Sequence, residues 1–245
     1  MAVRLTTKIK CVGFDLYSTL IDTDTYNITE IMNPVYLIIQ KLGYSGLFEN
    51  FLEIRKKIYW KWRRYREENH IELKSKIWWE EILESLNLEF SDEIINQIIQ
   101  VSHQKWRSQI SLYPDVKELL STLKKSYTLI CISNISDGDL AREDMDFFGI
   151  SQFFDCIVMS SDLGIRKPSP RIFEYALEKV NVRKSETIFI GDTLYDDIQG
   201  AKTAGLRLAI HVKRNRSYFF PDYYIEPDIS INKLTEIYSI IKSIR

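Results

Sequence analysis

Apolar residues change their spacing twice along the chain. Near the start, "IKCVGFD" (residues 9–15) is a short apolar run broken by an aspartate, the pattern of a buried strand. From about 27 to 108 the spacing becomes helical. Ile28, Ile31, Met32, Val35, Ile38, Ile39 and Leu42 recur on one helix face. Asn27 with Glu30 predicts a capping pair, and Gly43 a stop. Three more helices follow over about 47–68, 74–87 and 92–108, the last with Ser91, Asp92 and Glu93 in its opening turn. After Pro114 strands and helices alternate. The helix "DVKELLSTLKK" leads into "YTLICIS", and a helix over about 137–148, stopped by Gly149, leads into "FDCIVMS". Ser169 and Pro170 open the next helix, before "ETIFIG", and a helix over about 196–204, stopped by Gly205, precedes "LRLAIHV".

Short apolar strands alternating with helices predict an α/β fold: a doubly wound parallel sheet covered on both faces. The first strand is cut off from this series by the helical block. The economical arrangement is one α/β core built from 1–22 and 112–245, with an all-helical cap over 23–111 inserted after strand one. A side-by-side second domain would leave strand one orphaned at its edge.

Composition narrows the function classes. Of 245 residues, 45% are hydrophobic and 27% charged, an ordinary soluble balance. A formal net charge of -1 predicts neither a nucleic-acid nor an acidic partner. No apolar run reaches the roughly 18 residues of a membrane-spanning helix, and no secretory signal is visible, so no membrane association is expected. Cys11, Cys131 and Cys156 are odd in number and sit in or beside apolar runs, which predicts buried, reduced thiols in a cytoplasmic protein. His70, His103 and His211 lack zinc-ligand spacing. Nothing in the pattern fixes an oligomeric state.

Ligands of an open parallel sheet bind at the carboxyl ends of its strands. The chain places Asp15, Tyr17 and Thr19 there after strand one, Ser133 and Asn134 after "LICIS", Lys167 in "GIRKP", and Asp192, Asp196 and Asp197 after "TIFIG". Any one of these is explained by loops being polar. Two acids converging on one point, however, repel unless one stays protonated or a cation joins them. Oxygen-only ligands favour Mg2+. Ser133 and the amides near Asn134 suit an anion, whose charge Lys167 would balance.

In this order, "FDLYST", "CISN", "RKP" and "GDTLYDD" resemble the four motifs of the haloacid dehalogenase-like hydrolase superfamily. The resemblance covers 8–22 and 112–245; the cap is matched only in position and helical character. It implies that Asp15 is a covalent nucleophile and that Mg2+ is held by Asp15, the Tyr17 carbonyl and Asp192. Asp197 fits the position of the further acid better than Asp196 does. Ser133, Thr19 and amides near Asn134 would cradle the transferred group, and Lys167 would pair with Asp15 and the substrate anion.

The resemblance leaves the reaction open. Phosphatases of this superfamily carry a second aspartate where this chain has Tyr17, and losing a positioned acid/base costs about 10² to 10⁴ in rate. Tyrosine there resembles the haloacid dehalogenases, whose halide leaves without a proton. Those enzymes, however, carry Gly where this chain has Ser18, Tyr where it has Phe173, and Ser and Asn where it has Asp192 and Leu194. Their substrate-binding cap arginine has only loose candidates in Arg55, Arg63 and Arg64. Without metal, Asp15 and Asp192 at about 4 Å repel by about 4 kcal/mol at an effective dielectric near 20. The expectation is a magnesium-dependent phosphatase acting on a small, anionic phosphorylated substrate. The alternatives are a metal-independent 2-haloacid dehalogenase-like hydrolase and a non-catalytic phospho-ligand binding protein. "RKKIYWKWRRYREENH" (residues 55–70) interleaves cations with aromatics, as single-stranded nucleic-acid surfaces do. An amphipathic helix with Ile58, Trp62 and Tyr65 packed and its charges solvated accounts for it more simply.

Overall fold

The structure is a computed structural model and describes residues 8–214 and 224–244 of the chain. It divides into two compact units, Met1–Asp24 with Ser111–Arg245, and Thr25–Ile110.

The first unit is built on a parallel sheet. Its strands are β1 (Cys11–Phe14), β4 (Thr128–Ser133), β5 (Cys156–Met159), β6 (Thr187–Gly191), β7 (Leu208–Val212) and β8 (Ile229–Ile231), in the order β5-β4-β1-β6-β7-β8. A separate antiparallel pair, β2 (Ile21–Asp22) with β3 (Ser111–Leu112), carries the chain out to the second unit and back. The β1 residues are fully buried, as a central parallel strand requires. Phe14 is in register with Cys131 of β4 and Ile190 of β6. The chain winds from β1 through β4 to β5, then restarts at β6 on the other side of β1. The switch point therefore lies between β1 and β6, and both strands end there in an aspartate.

Helices α5 (Val116–Lys124), α6 (Gly138–Phe147), α7 (Ser160–Leu163), α8 (Pro170–Val180), α9 (Gly200–Thr203) and α10 (Ile237–Ser243) belong to the same unit. Pro170 stands in the first turn of α8, where its missing N–H costs nothing, although the Ser169 side chain makes no capping bond. Phe173 and Phe189 meet edge to face at 5.0 Å between α8 and the sheet. Two sequence expectations change here. The predicted helix over 196–204 is a π-helical stretch, Leu194–Gln199, running into the short α9. Cys156 is only half-buried, unlike Cys11 and Cys131, because it begins a short strand at the sheet's edge. Burial raises the Cys11 thiol to about 12, so it stays protonated. The last strand, β8, has three residues and no periodicity to announce it.

The second unit holds α1 (Ile28–Lys41), α2 (Phe48–Asn69), α3 (Lys76–Ser85) and α4 (Asp92–Arg107). Met32, Val35 and Ile39 of α1 pack in one core with Phe51, Trp78, Ile82, Ile95 and Ile98. The Asn27 side chain caps α1 by accepting from the Thr29 and Glu30 amides. Glu30 does not complete the pair: Gln109 Oε1 takes the Asn27 amide at 2.6 Å. No helix among the described residues is long and apolar enough to cross a membrane.

Candidate active site

The site grows from two neighbouring strand ends. Asp15 directly follows β1, and its amide donates to the Ile190 carbonyl of β6 at 2.9 Å. Asp192 directly follows β6. Two positions on, the chain turns into the π-helical stretch, which carries Asp197 back beneath the strand end. Gly191 permits this, because a Cβ there would collide with the Asp197 side chain. Asp15, Asp192 and Asp197 are all buried, and one carboxylate oxygen from each lies within 4.8 Å of the others. Asp196, its neighbour on the turn, is half-buried and outside this cluster.

Lys167 reaches the same point from the loop before α8. Its Nζ donates to Asp15 Oδ1 at 2.7 Å, to Asp197 Oδ1 at 2.7 Å and to the Ile132 carbonyl at 2.8 Å, which uses all three ammonium protons. Burial alone would lower the lysine's pKa. Asp15 and Asp197 more than offset that and hold it well above the ordinary value. Burial raises Asp15 to about 6, against the lowering effect of Lys167 and with a further push from Asp197. Asp197 is fixed from its other side, since Oδ2 accepts from the Thr193 amide at 2.9 Å and the Thr193 hydroxyl at 2.8 Å.

The remaining residues singled out by sequence sit around this centre. Thr19 Oγ1 donates to Asp192 Oδ1 at 3.4 Å. Ser133 ends β4 and is buried. The Asn134 carboxamide is committed to the lysine's own backbone. Its Nδ2 donates to the Lys167 carbonyl at 2.9 Å, and its Oδ1 accepts from the Lys167 amide at 2.8 Å. Asn134 therefore orients Lys167 with its side chain.

Sequence reasoning missed three partners. Tyr17 Oη donates to Asp144 Oδ2 at 2.7 Å, and Asp144, on α6, is fully buried. His211, near the end of β7, is hydrogen-bonded through Nε2 to the Asp192 carbonyl at 2.9 Å, so that nitrogen donates. Burial lowers the His211 pKa, which favours the neutral ring. Arg214 reaches the carbonyls of Ser18 and Thr19. A histidine and an arginine at the end of "LRLAIHVKR" were signals of polar groups on the carboxyl edge; Asp144, in mid-helix, gave none.

The basic segment is α2, and its charges are less solvated than its sequence suggests. Arg66 is buried and pairs with Glu72 at 2.7 Å, while Arg63 pairs with buried Glu67 at 3.1 Å. Lys61 and the Trp62 indole both donate to Glu81. Ile58 packs as expected, whereas Tyr65 is 47% exposed.

Similarity to known proteins shows the family of the chain. The sequence profile described as haloacid dehalogenase-like hydrolase matches residues 9–205. Human N-acylneuraminate-9-phosphatase is 24% identical over 212 residues, covering 85% of this chain and 84% of that protein. Glyceraldehyde 3-phosphate phosphatase of Pyrococcus furiosus is 26% identical over 205 residues, covering 82% and 79%. Among solved structures, a 2-haloacid dehalogenase from Pseudomonas syringae pv. Tomato superposes with a TM-score of 0.70 at 26% identity, over 96% of this chain and 99% of that one. The chain belongs to the haloacid dehalogenase-like hydrolases.

Proposed function

We propose that the protein is a magnesium-dependent phosphatase of small phosphorylated metabolites, with Asp15 as nucleophile and residues 23–111 as a cap that selects the substrate. One observation carries this reading: three buried carboxylates meet within 4.8 Å of one another, two of them bonded to one ammonium. Lys167 balances one of the three charges. The donors are all oxygen, which suits a hard divalent cation. Asp15, the Tyr17 carbonyl and Asp192 would hold Mg2+, with Asp197 behind them. When bound, the ion supplies the positive charge that neutralises the phosphoryl oxygens.

The chain's own groups account for the remaining chemistry. Asp15 attacks phosphorus in line with the leaving oxygen, the bond to that oxygen breaks, and an aspartyl phosphate forms. Water then attacks the phosphorus, releasing phosphate and restoring the carboxylate. The Ser133 and Thr19 hydroxyls and the amides near Asn134 cradle the transferring group, while Lys167 pairs with Asp15 and the substrate anion. Asn134 and Thr193 keep Lys167 and Asp197 in place. The Tyr17 hydroxyl is engaged with Asp144, so the site favours leaving groups that need little protonation.

The reading is tested by turnover of 4-nitrophenyl phosphate with Mg2+ and with EDTA. Turnover should require Mg2+ and fall by roughly 10³ or more in Asp15→Asn. The nucleophile acts as a carboxylate and Asp15 is raised to about 6, so metal binding should weaken as pH falls through that value. The second reading, 2-haloacid dehalogenation, is favoured by Tyr17 and by the 26% identical dehalogenase structure. Halide release from a 2-haloacid in EDTA, without phosphate turnover, would establish it instead. Ligand-induced stabilisation that survives Asp15→Asn, with neither activity, would point to a non-catalytic binding protein.

A further inference from the structure

Arg214 follows β7 and is 196 residues from Ser18 in sequence, yet it touches the nucleophile's loop. Its Nε donates to the Ser18 carbonyl at 3.1 Å, and its Nη2 to the Thr19 carbonyl at 2.8 Å. The guanidinium lies over the Tyr113 ring, 3.7 Å from its centre. The Tyr113 hydroxyl is buried and makes no hydrogen bond among the described residues, so this ring contributes through its face. Tyr113 in turn donates its amide to the Leu20 carbonyl at 3.1 Å.

The loop that Arg214 grips adopts a disfavoured conformation. Ser18 has a φ of 64°, the left-handed region that glycine enters freely and serine does not. On the inner side the turn is closed by backbone bonds: Leu20 and Ile21 amides to the Leu16 carbonyl at 2.8 and 3.0 Å, and the Ser18 amide to the Ile21 carbonyl at 2.6 Å. Ser18 Oγ lies 2.6 Å from Thr23 Oγ1. The carbonyls of Ser18 and Thr19 are both taken by one planar donor fork. A lysine, as a point charge, cannot reproduce that geometry together with the ring stacking.

We propose that Arg214 is a positioning residue for the reaction. It holds Ser18 in its left-handed turn, and so orients the two groups that flank Ser18, the Tyr17 carbonyl and the Thr19 hydroxyl. Thr19 already bonds Asp192, which ties this turn to the carboxylate cluster. The kinetic consequence rests on the phosphatase reading above; the structural claim does not.

Hydrogen exchange and turnover test it together in Arg214→Met and Arg214→Lys. In Arg214→Met, exchange at the Leu20 and Ile21 amides should quicken by about 10- to 100-fold, the range for losing hydrogen bonds to a charged group. Exchange at Val158 in β5 should stay unchanged. Aryl phosphate kcat should fall by a similar factor. Guanidinium ion at millimolar concentration should slow the exchange and restore part of the turnover. Arg214→Lys should lie between wild type and Arg214→Met. Adding Ser18→Gly to Arg214→Met should recover turnover, because glycine needs no help to hold the turn. Unchanged exchange at Leu20 and Ile21 overturns the proposal. So does equal acceleration throughout the sheet, or a loosened loop with full turnover. Absence of wild-type phosphate turnover would sink the phosphatase reading, while exchange would still decide whether Arg214 holds the loop.

Discussion

The two units contain opposite charge clusters. In the α/β unit one ammonium, Lys167, pairs with two of three clustered carboxylates. On α2 one phenol, Tyr59, stands among Arg63, Arg66 and Arg55. Burial alone would raise the Tyr59 pKa, but the three guanidiniums more than offset it and bring it below its ordinary value. The clusters differ in how they are balanced. On the helical side Glu67 answers Arg63 and Glu72 answers Arg66, all within one unit, while Arg55 lies over the Tyr59 ring. On the sheet side the carboxylates outnumber the ammonium and share it, Asp15 and Asp197 each at 2.7 Å. Buried arginines that are paired one to one with carboxylates fix structure. A cluster that leaves negative charge over attracts a cation.

Removing Lys167 should break this contrast most severely. Lys167→Met leaves three buried carboxylates facing one another, a loss of about 3–5 kcal/mol by the usual cost of breaking a buried pair. Urea unfolding would measure it. Mg2+ should restore part of the lost stability, because it replaces the missing positive charge. A cost that is the same with and without Mg2+ would mean that the carboxylates do not form a cation site.

Tyr17 gives the next largest effect. Read from sequence, Tyr17→Asp simply restores a missing acid. In the structure it would aim a carboxylate towards Asp144, which accepts the Tyr17 hydroxyl at 2.7 Å. Tyr17→Asp alone should therefore lower both stability and turnover. The double change Tyr17→Asp with Asp144→Asn should raise turnover of alkyl phosphates above wild type, by about 10-fold or more if a working acid is regained. Equal turnover by the single and double variants would show that Asp144 plays no part in setting residue 17.

These cases show where sequence suffices. The placement of Asp15, Asp192 and Ser133 was legible because a parallel sheet delivers every strand end to one edge, whereas Lys167, in the loop before α8, was singled out by the motif it resembles. The parallel, doubly wound sheet followed from the alternation of strands and helices, whereas the order of its strands did not, and β8 was too short to show a period. Asp144 was illegible, because a mid-helix acid looks solvated until the fold brings Tyr17 to it across 127 residues. Arg214 was legible as a polar group after β7 but not as a partner of the Ser18 loop, and the resemblance already favoured Asp197, which the π-helical turn buries while leaving Asp196 half-buried. On α2 the periodicity located the helix but misjudged its charges, since Glu72, the partner that buries Arg66, lies beyond the helix end.

That last pair offers the smallest effect and the cleanest control. Glu72→Gln removes the carboxylate from Arg66 Nη1 but keeps an oxygen that accepts a hydrogen bond. Arg66 still stacks over Trp78 at 4.7 Å and donates to the Trp62 carbonyl at 3.3 Å, so part of its burial stays compensated. The loss should be about 2 kcal/mol, within the range for a hydrogen bond to a charged group. Unlike Lys167→Met, it should not respond to Mg2+, and turnover per folded molecule should stay at the wild-type level. If Mg2+ rescues Glu72→Gln, or if turnover collapses while the fold survives, the helical cluster is not self-contained, and its arginines act on the same substrate charge as Lys167.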